Sequence, residues 1–337
     1  MLLIHNHVLC RSKLLRAALI TAASLLAMLS GCGAVSSYNS RLSDLGGVYA
    51  SRDSDLKLDV EISGRLSEGN AELDSRNEAN MVTEQYAQDD FAEGETSGNQ
   101  VFSNKLLRWG ISRRENNQTP AADPGAPELL KKHGSVYLGD TSRKVIYLTF
   151  DEGYENGYTP MILDTLRDNN VKAIFFITGP YLSGQQELVR RMVEEGHTVG
   201  NHTIHHPSLP ELDNSQLEEE ILGLDRAFRE KFGKNMTFLR PPKGEYSERS
   251  LAITNELGYC NLFWSFAYDD WYRDKIRGPE YARSIVMRNL HNGAVLLLHA
   301  VSKDNAEALD SIIKETKEKG YEIGDPEELL QLRKGRD

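Results

Sequence analysis

The side chains that first suggest chemistry in this chain are Asp151 and Glu152, His202 and His206, Arg240, and a solitary His299. Carboxylates and imidazoles together can bind a metal ion and move protons as acid and base. His202 and His206 are four residues apart. In a helical turn that spacing puts both imidazoles on one face, a common metal-chelating arrangement. Two histidines in a solvated loop are the alternative. His205 is turned away by its one-residue offset and reads as a surface or structural side chain. Asp151 and Glu152 are adjacent and face opposite ways in an extended chain. A turn would aim both into one site; a solvated acidic turn is the alternative. Arg240 precedes Pro241 and Pro242, where its cation could hold a carboxylate ionised. His299 follows five apolar residues and reads as a satisfied core histidine or as a general acid; taken alone, the core reading is the commoner one.

These residues need elements to position them. Strand patterns of β-branched and aromatic residues occur at 144–150, 172–178, 197–201, 237–240, 260–265, 294–299 and 321–323. Helical patterns lie between them at 160–169, 185–195, 214–232, 247–257, 279–292, 305–319 and 326–330. Alternation of this kind builds parallel βα units, and about seven units suit a distorted (β/α)7-type barrel better than a doubly wound sheet. No glycine-rich dinucleotide fingerprint follows any strand. Barrel chemistry sits at the C-terminal strand ends. The polar residues fall there in order: Asp151 and Glu152, the 201–207 histidine run, Arg240 to Gly244, Asp269-Asp270-Trp271, and His299.

The N-terminus has a different character. Arg11, Lys13 and Arg16 precede or interrupt an apolar stretch ending in Leu29-Ser30-Gly31-Cys32. The stretch is short for a spanning helix and typical of a secretory signal. Its end resembles a bacterial lipobox, which implies cleavage before Cys32 and lipid attachment to that residue. Residues 1–31 are then a lipoprotein signal peptide. Residues 32–100 are polar, acidic and without hydrophobic period, as expected of a disordered tether. Residues 101–143 carry Leu106, Leu107 and Trp109 and read as an arm packing on the catalytic domain at 144–337. Cys260 sits in an apolar run and reads as a buried thiol. The 337 residues carry 39 Lys and Arg against 50 Asp and Glu, a net charge of −11. No basic excess exists to displace phosphate counterions, so a dedicated nucleic-acid binder is excluded.

From residue 144 to 330 the sequence resembles the polysaccharide deacetylases of the NodB-homology type. Thr149-Phe150-Asp151-Glu152-Gly153 resembles TFDDG, and the segment from His202 to Pro207 matches H-[ST]-x-x-H-P. Arg240-Pro241-Pro242-Lys243-Gly244 resembles R-P-P-[YF]-G. The segment from Trp264 to Trp271 resembles the one carrying D-x-x-D-W, and Leu297-Leu298-His299 matches L-x-H. Trp109-Gly110, Gly139-Asp140-Thr141, the run 147–159 and the run 240–249 further resemble the delta-lactam-biosynthetic de-N-acetylases of spore formers.

The resemblance implies a metal-dependent de-N-acetylase acting on N-acetylmuramic acid in spore-cortex peptidoglycan. The glycan strands would first lose their stem peptides to an amidase, and the deacetylated product closes to muramic δ-lactam. It implies a divalent metal, zinc by preference, on His202, His206 and Glu152. Asp151 is the expected base, His299 the acid and Arg240 the partner of Asp151. Trp271 and Leu297 line the acetyl pocket. Lys243 replaces an aromatic residue and is the expected partner of the lactyl carboxylate. Two departures stand out. Glu152 replaces an Asp ligand, and Ala267 replaces the Asp that orients the catalytic histidine, a role left to Asp269 or Asp270. An N-acetylglucosamine deacetylase and a non-catalytic wall-glycan-binding lipoprotein are the rival readings. In each, a lipid anchor holds the protein on the extracytoplasmic face of the membrane.

Overall fold

The computed structural model describes residues 96–97, 100–114 and 117–333. The signal segment, Cys32 and nearly all of the expected tether lie outside them. At its end the tether expectation gives way to a two-residue ladder, Thr96–Ser97 against Gln100–Val101.

Seven strands form the central parallel sheet: β1 Val145–Glu152, β2 Ile174–Ile177, β3 Thr198–Asn201, β4 Phe238–Leu239, β5 Cys260–Asn261, β6 Ala294–His299 and β7 Glu322–Ile323. The order is β5-β4-β3-β2-β1-β6, with β7 also on β1. Beyond β5 the chain swings across to β6. Phe266 forms a parallel bridge to Leu296, and the Leu297 amide donates to the Phe266 carbonyl at 2.8 Å, which closes the ring. This is an α/β fold of the distorted (β/α)7 type. β5 is shorter than its apolar run because its partner β4 ends at Leu239; beyond it Val136 of the arm takes over as partner. The Val136 amide donates to Asn261 and its carbonyl accepts from Phe263, both at 2.8 Å.

Every residue of β1 is buried, and its two faces enter different cores. Val145 and Tyr147 point into the barrel with Ile174, Phe176, Phe238 and Val295. Ile146, Leu148 and Phe150 point outward against the helices. Strands buried on both faces read as unbroken apolar runs, which is why they were legible. Gly200 shows how tight the interior is. It pairs in register with Phe176, and a Cβ there would lie 2.6 Å from the Phe176 ring.

The helices are α1 Ala126–Lys132, α2 Thr159–Asp168, α3 Gly179–Gly184, α4 Gln186–Glu194, α5 Asn214–Phe232, α6 Glu248–Glu256, α7 Pro279–Arg288, α8 Lys303–Glu318 and α9 Glu327–Arg333. α5 buries Leu217, Ile221, Leu224 and Phe228 along one stripe. Asp213 and Gln216 form a capping box at its start, worth about 1 kcal/mol, and Gly233 at φ 66° ends it. α1 and α3 had no clear pattern in the sequence, being only one to two turns long.

The arm packs by its aromatic residues. Trp109 lies against Tyr137 and Phe263, at 4.8 and 5.2 Å between ring centroids, and its indole N–H donates to the Trp264 carbonyl. Leu107–Arg108 pairs antiparallel with Glu245–Tyr246, directly beyond Lys243 and Gly244. Arg113 reaches the Ala267 carbonyl at 2.5 Å. The arm therefore braces two loops on the rim that carries the chemistry.

Candidate active site

β1 delivers Asp151 to the barrel mouth on the inward face. The carboxylate is nearly closed off from solvent, and Arg240 at the end of β4 donates from Nη1 to its Oδ1 at 2.6 Å. Burial alone would raise the Asp151 pKa. The Arg240 charge, followed by those of His202 and His299, outweighs it and holds the group below its ordinary value. Arg240 is itself fully buried. Its guanidinium lies 4.2 Å from the centroid of Phe176, its Nε donates to the Leu262 carbonyl, and its Nη2 is buried without a hydrogen-bond partner. The ring that Gly200 makes room for is thus the bed of this cation.

His202 and His206 come together, but not through a helix. The segment after β3 is a loop with two left-handed residues, Thr203 at φ 66° and His206 at φ 61°. The Asn201 side chain accepts from the Thr203 amide at 2.8 Å, and the Thr203 hydroxyl accepts from the His206 amide at 3.0 Å. These bonds fold the loop so that the two rings meet at 4.7 Å. The helical expectation for the pair is corrected, because local side-chain bonds compete with a helical turn. His202 Nδ1 donates to the Arg240 carbonyl at 2.8 Å, which leaves the Nε2 lone pair free, 3.5 Å from Asp151 Oδ2. Burial lowers the pKa of both histidines, that of His206 to about 3, so both rings are neutral. His205 is exposed and bonded to Glu220.

Glu152 does not join them. β1 runs through it, so its side chain alternates to the outer face under α2 and α3. There it is fully buried, and the Thr159 hydroxyl donates to its two oxygens at 3.4 and 3.5 Å. Burial, and then the charge of Glu155, pushes its pKa well up. The expectation of Glu152 as third metal ligand is corrected for this arrangement. The reason is register: pairing of Glu152 with Ile177 of β2 keeps the strand extended where a turn was expected. Among the described residues no group of three or more His, Cys, Asp or Glu side chains is placed to hold a metal. The two imidazoles, that of His202 with its Nδ1 fixed by the Arg240 carbonyl, do fit a divalent ion such as zinc as far as two ligands go.

His299 ends β6. Its Nδ1 donates to Asp270 Oδ1 at 2.7 Å, and its backbone N–H donates to Asp270 Oδ2 at 2.8 Å. Asn305, at the start of α8, donates to the same Oδ2 at 2.5 Å, and the Tyr268 hydroxyl bonds Asn305 in turn. Burial would lower the His299 pKa, but the Asp270 charge and hydrogen bond outweigh it and raise it. Asp270 thus occupies the orienting role that Ala267 lacks. Asp269 is engaged elsewhere, by Lys275 and Arg277. Asn305 and Tyr268 did not stand out along the chain, although Tyr268 lies in the segment that carries Asp270 and Asn305 follows His299 by six residues. Trp271 stands edge-on to His299 at 5.7 Å, and Leu297 is buried one turn of the strand below. Lys243 follows Arg240 in a tight left-handed turn, φ 59°, and its charge reaches His206.

A βα barrel with a charge-clamped Asp, a paired His and a neutral imidazole couple on one rim defines a hydrolase of the polysaccharide deacetylase family, to which this chain belongs. The family profile Polysaccharide deacetylase matches residues 138–262. Peptidoglycan-N-acetylmuramic acid deacetylase PdaA of Bacillus subtilis (strain 168) is 41% identical over 232 residues, covering 68% of this chain and 88% of that protein. The structure of Bacillus subtilis PdaA, a family 4 carbohydrate esterase, aligns with a TM-score of 0.66 at 42% identity, covering 68% of this chain and 98% of that one. A family 4 carbohydrate esterase from Bacillus anthracis aligns with a TM-score of 0.59 at 41% identity, covering 69% and 99%.

Proposed function

We propose that this protein removes the N-acetyl group of N-acetylmuramic acid in peptidoglycan, on strands whose stem peptides an amidase has removed. The freed amine then closes on the lactyl carboxyl to give muramic δ-lactam, as in spore cortex. The observation that carries the reaction is the opposition of Asp151 and His299. Arg240 favours the ionised form of the one, and Asp270 raises the proton affinity of the other. Asp151 takes the proton of the attacking water. His299 gives a proton from Nε2 to the departing amine, while Asp270 stabilises the imidazolium. Trp271 and Leu297 border the acetyl methyl. His202 and His206 would hold a divalent cation, zinc by donor type, whose chemistry there is to polarise the acetyl carbonyl and acidify water.

The likeness to PdaA and the placement of Lys243 support the muramic substrate. The left-handed turn at φ 59° puts Lys243 three residues past Arg240, close enough for its charge to reach His206. On an intact strand the stem peptide amidates the lactyl carboxyl; on a stripped strand it is an anion that Lys243 can pair with. The lipobox-like end at Cys32 supports attachment to the extracytoplasmic face of the membrane. Mass spectrometry of muropeptides, after incubation of peptide-free glycan with the protein, tests the reading. Loss of acetyl from muramic residues is expected, and loss from glucosamine residues alone would overturn it.

A further inference from the structure

Beside His299 the rim carries a group of exposed side chains of which the reaction above uses only Trp271. Tyr154, in the loop after β1, and Trp271 and Tyr272, in the loop that supplies Asp270, are about as exposed as one another, at 44%, 45% and 43%. Trp271 and Tyr272 lie 5.3 Å apart, and the Arg273 guanidinium sits over the Tyr154 ring at 5.2 Å. This contact joins the two loops across the mouth. Large apolar rings left in water beside a catalytic cleft mark a binding surface. The cation is distinctive as well. Lys275 and Arg277 of the same loop both pair with Asp269. Arg273 forms no ion pair with any described carboxylate; its described contact is the aromatic face. A guanidinium lying over a ring keeps its in-plane N–H groups available for a carboxylate.

Its position relative to Lys243 is informative. In the order β4-β3-β2-β1-β6, Lys243 follows β4, whereas Tyr154 follows β1 and the Arg273 loop packs on His299 of β6. The two cations stand on different sides of the reacting centre. A peptide-free strand carries a lactyl carboxylate on every second sugar. We propose that Arg273, seated on Tyr154 beside Trp271 and Tyr272, is a second anion-recognising subsite that binds the lactyl carboxylate of a neighbouring muramic residue while the rings stack on the intervening sugar. The proposal rests on the muramic reading above and extends it: the protein recognises a run of stripped sugars, not a single one.

The test is binding, measured by calorimetry in an Asp151→Asn background with and without Arg273→Gln. The ligands are a peptide-free hexasaccharide, a disaccharide with one muramic residue, and a hexasaccharide whose flanking muramic residues keep their stem peptides. Arg273→Gln should weaken binding of the peptide-free hexasaccharide by about tenfold, as for one partly exposed charge-assisted pair, and that of the disaccharide far less. Flanking stem peptides should weaken binding to the Arg273 form by a similar factor and leave the Arg273→Gln form insensitive. An equal loss on both lengths, no loss on either, or indifference to flanking peptides would overturn the subsite. A wild-type protein that deacetylates no muramic substrate, yet binds strands in an Arg273-dependent way, would instead overturn the reaction and leave the subsite standing.

Discussion

Asp151 and His299 are register partners on adjacent parallel strands, β1 and β6. Paired residues of neighbouring strands project to the same face, so a carboxylate and an imidazole meet at one mouth with no loop needed to bring them there. Each has its own partner at the edge of the site, Arg240 for the carboxylate and Asp270 for the imidazole. The electrostatic surroundings of the two groups are thereby set from opposite sides.

Asp151→Asn should lower turnover by several orders of magnitude, as expected for loss of a base. The amide retains an oxygen for Arg240, so the variant should fold. Arg240→Met is a harsher change, because it strands a buried carboxylate, and should cost about 3–5 kcal/mol of stability. Acetate release and thermal unfolding of both variants separate the two effects. An active Asp151→Asn enzyme would assign the base elsewhere.

The pH profile should report His299. Its folded pKa is raised above the ordinary 6.5, so the protonated acid persists beyond that value and activity falls as pH rises through the raised one. In Asp270→Asn the charge is gone and burial dominates. The pKa should drop below 6.5, and the alkaline limb of kcat against pH should move to lower pH. Asp151 is depressed below 3.8, so its contribution to stability is present above that value and is lost as pH falls through the lower one. An unmoved alkaline limb in Asp270→Asn would remove Asp270 from the proton-donating pair.

Metal content should separate the histidines from Glu152. His202→Ala and His206→Ala should each lower bound zinc, measured by equilibrium dialysis. Glu152→Gln should bind zinc like the unaltered protein and fold within about 1 kcal/mol of it, since the amide keeps an oxygen for the Thr159 hydroxyl and removes a carboxyl whose charged form burial disfavours. A Glu152→Gln protein as depleted as His202→Ala would show that the carboxylate rotates inward when the ion binds.

Lys243→Tyr should reduce activity on peptide-free muramic strands about ten- to a hundredfold, the worth of one partly desolvated charge-assisted bond, and spare N-acetylglucosamine oligomers. Equal losses on both substrates would remove Lys243 from substrate choice.

Much of this could be read along the chain. Strands β1, β2 and β6 are largely apolar runs because they are buried on both faces along nearly their whole length. The chemistry follows those runs because barrel sites lie at strand ends, so Asp151, His202, His206, Arg240 and His299 stand out in order. Cys260 reads as a buried thiol and is one, with burial pushing its pKa up to about 12. The rest depended on which side chains meet once the elements pack. Whether Glu152 turns inward rests on two more residues of pairing with β2 and on packing under α2 and α3. The choice of Asp270 over Asp269 rests on Asn305, which arrives from α8, and on Lys275 and Arg277 of the same loop, which engage Asp269. Beyond Asn261 the apolar run of β5 takes Val136 of the arm as its partner. The histidine pair is closed by the Asn201 and Thr203 side chains, which a spacing of four mistakes for a helix. Periodicity and residue type report which face a residue offers to its own element; which partner meets that face is settled when the elements pack.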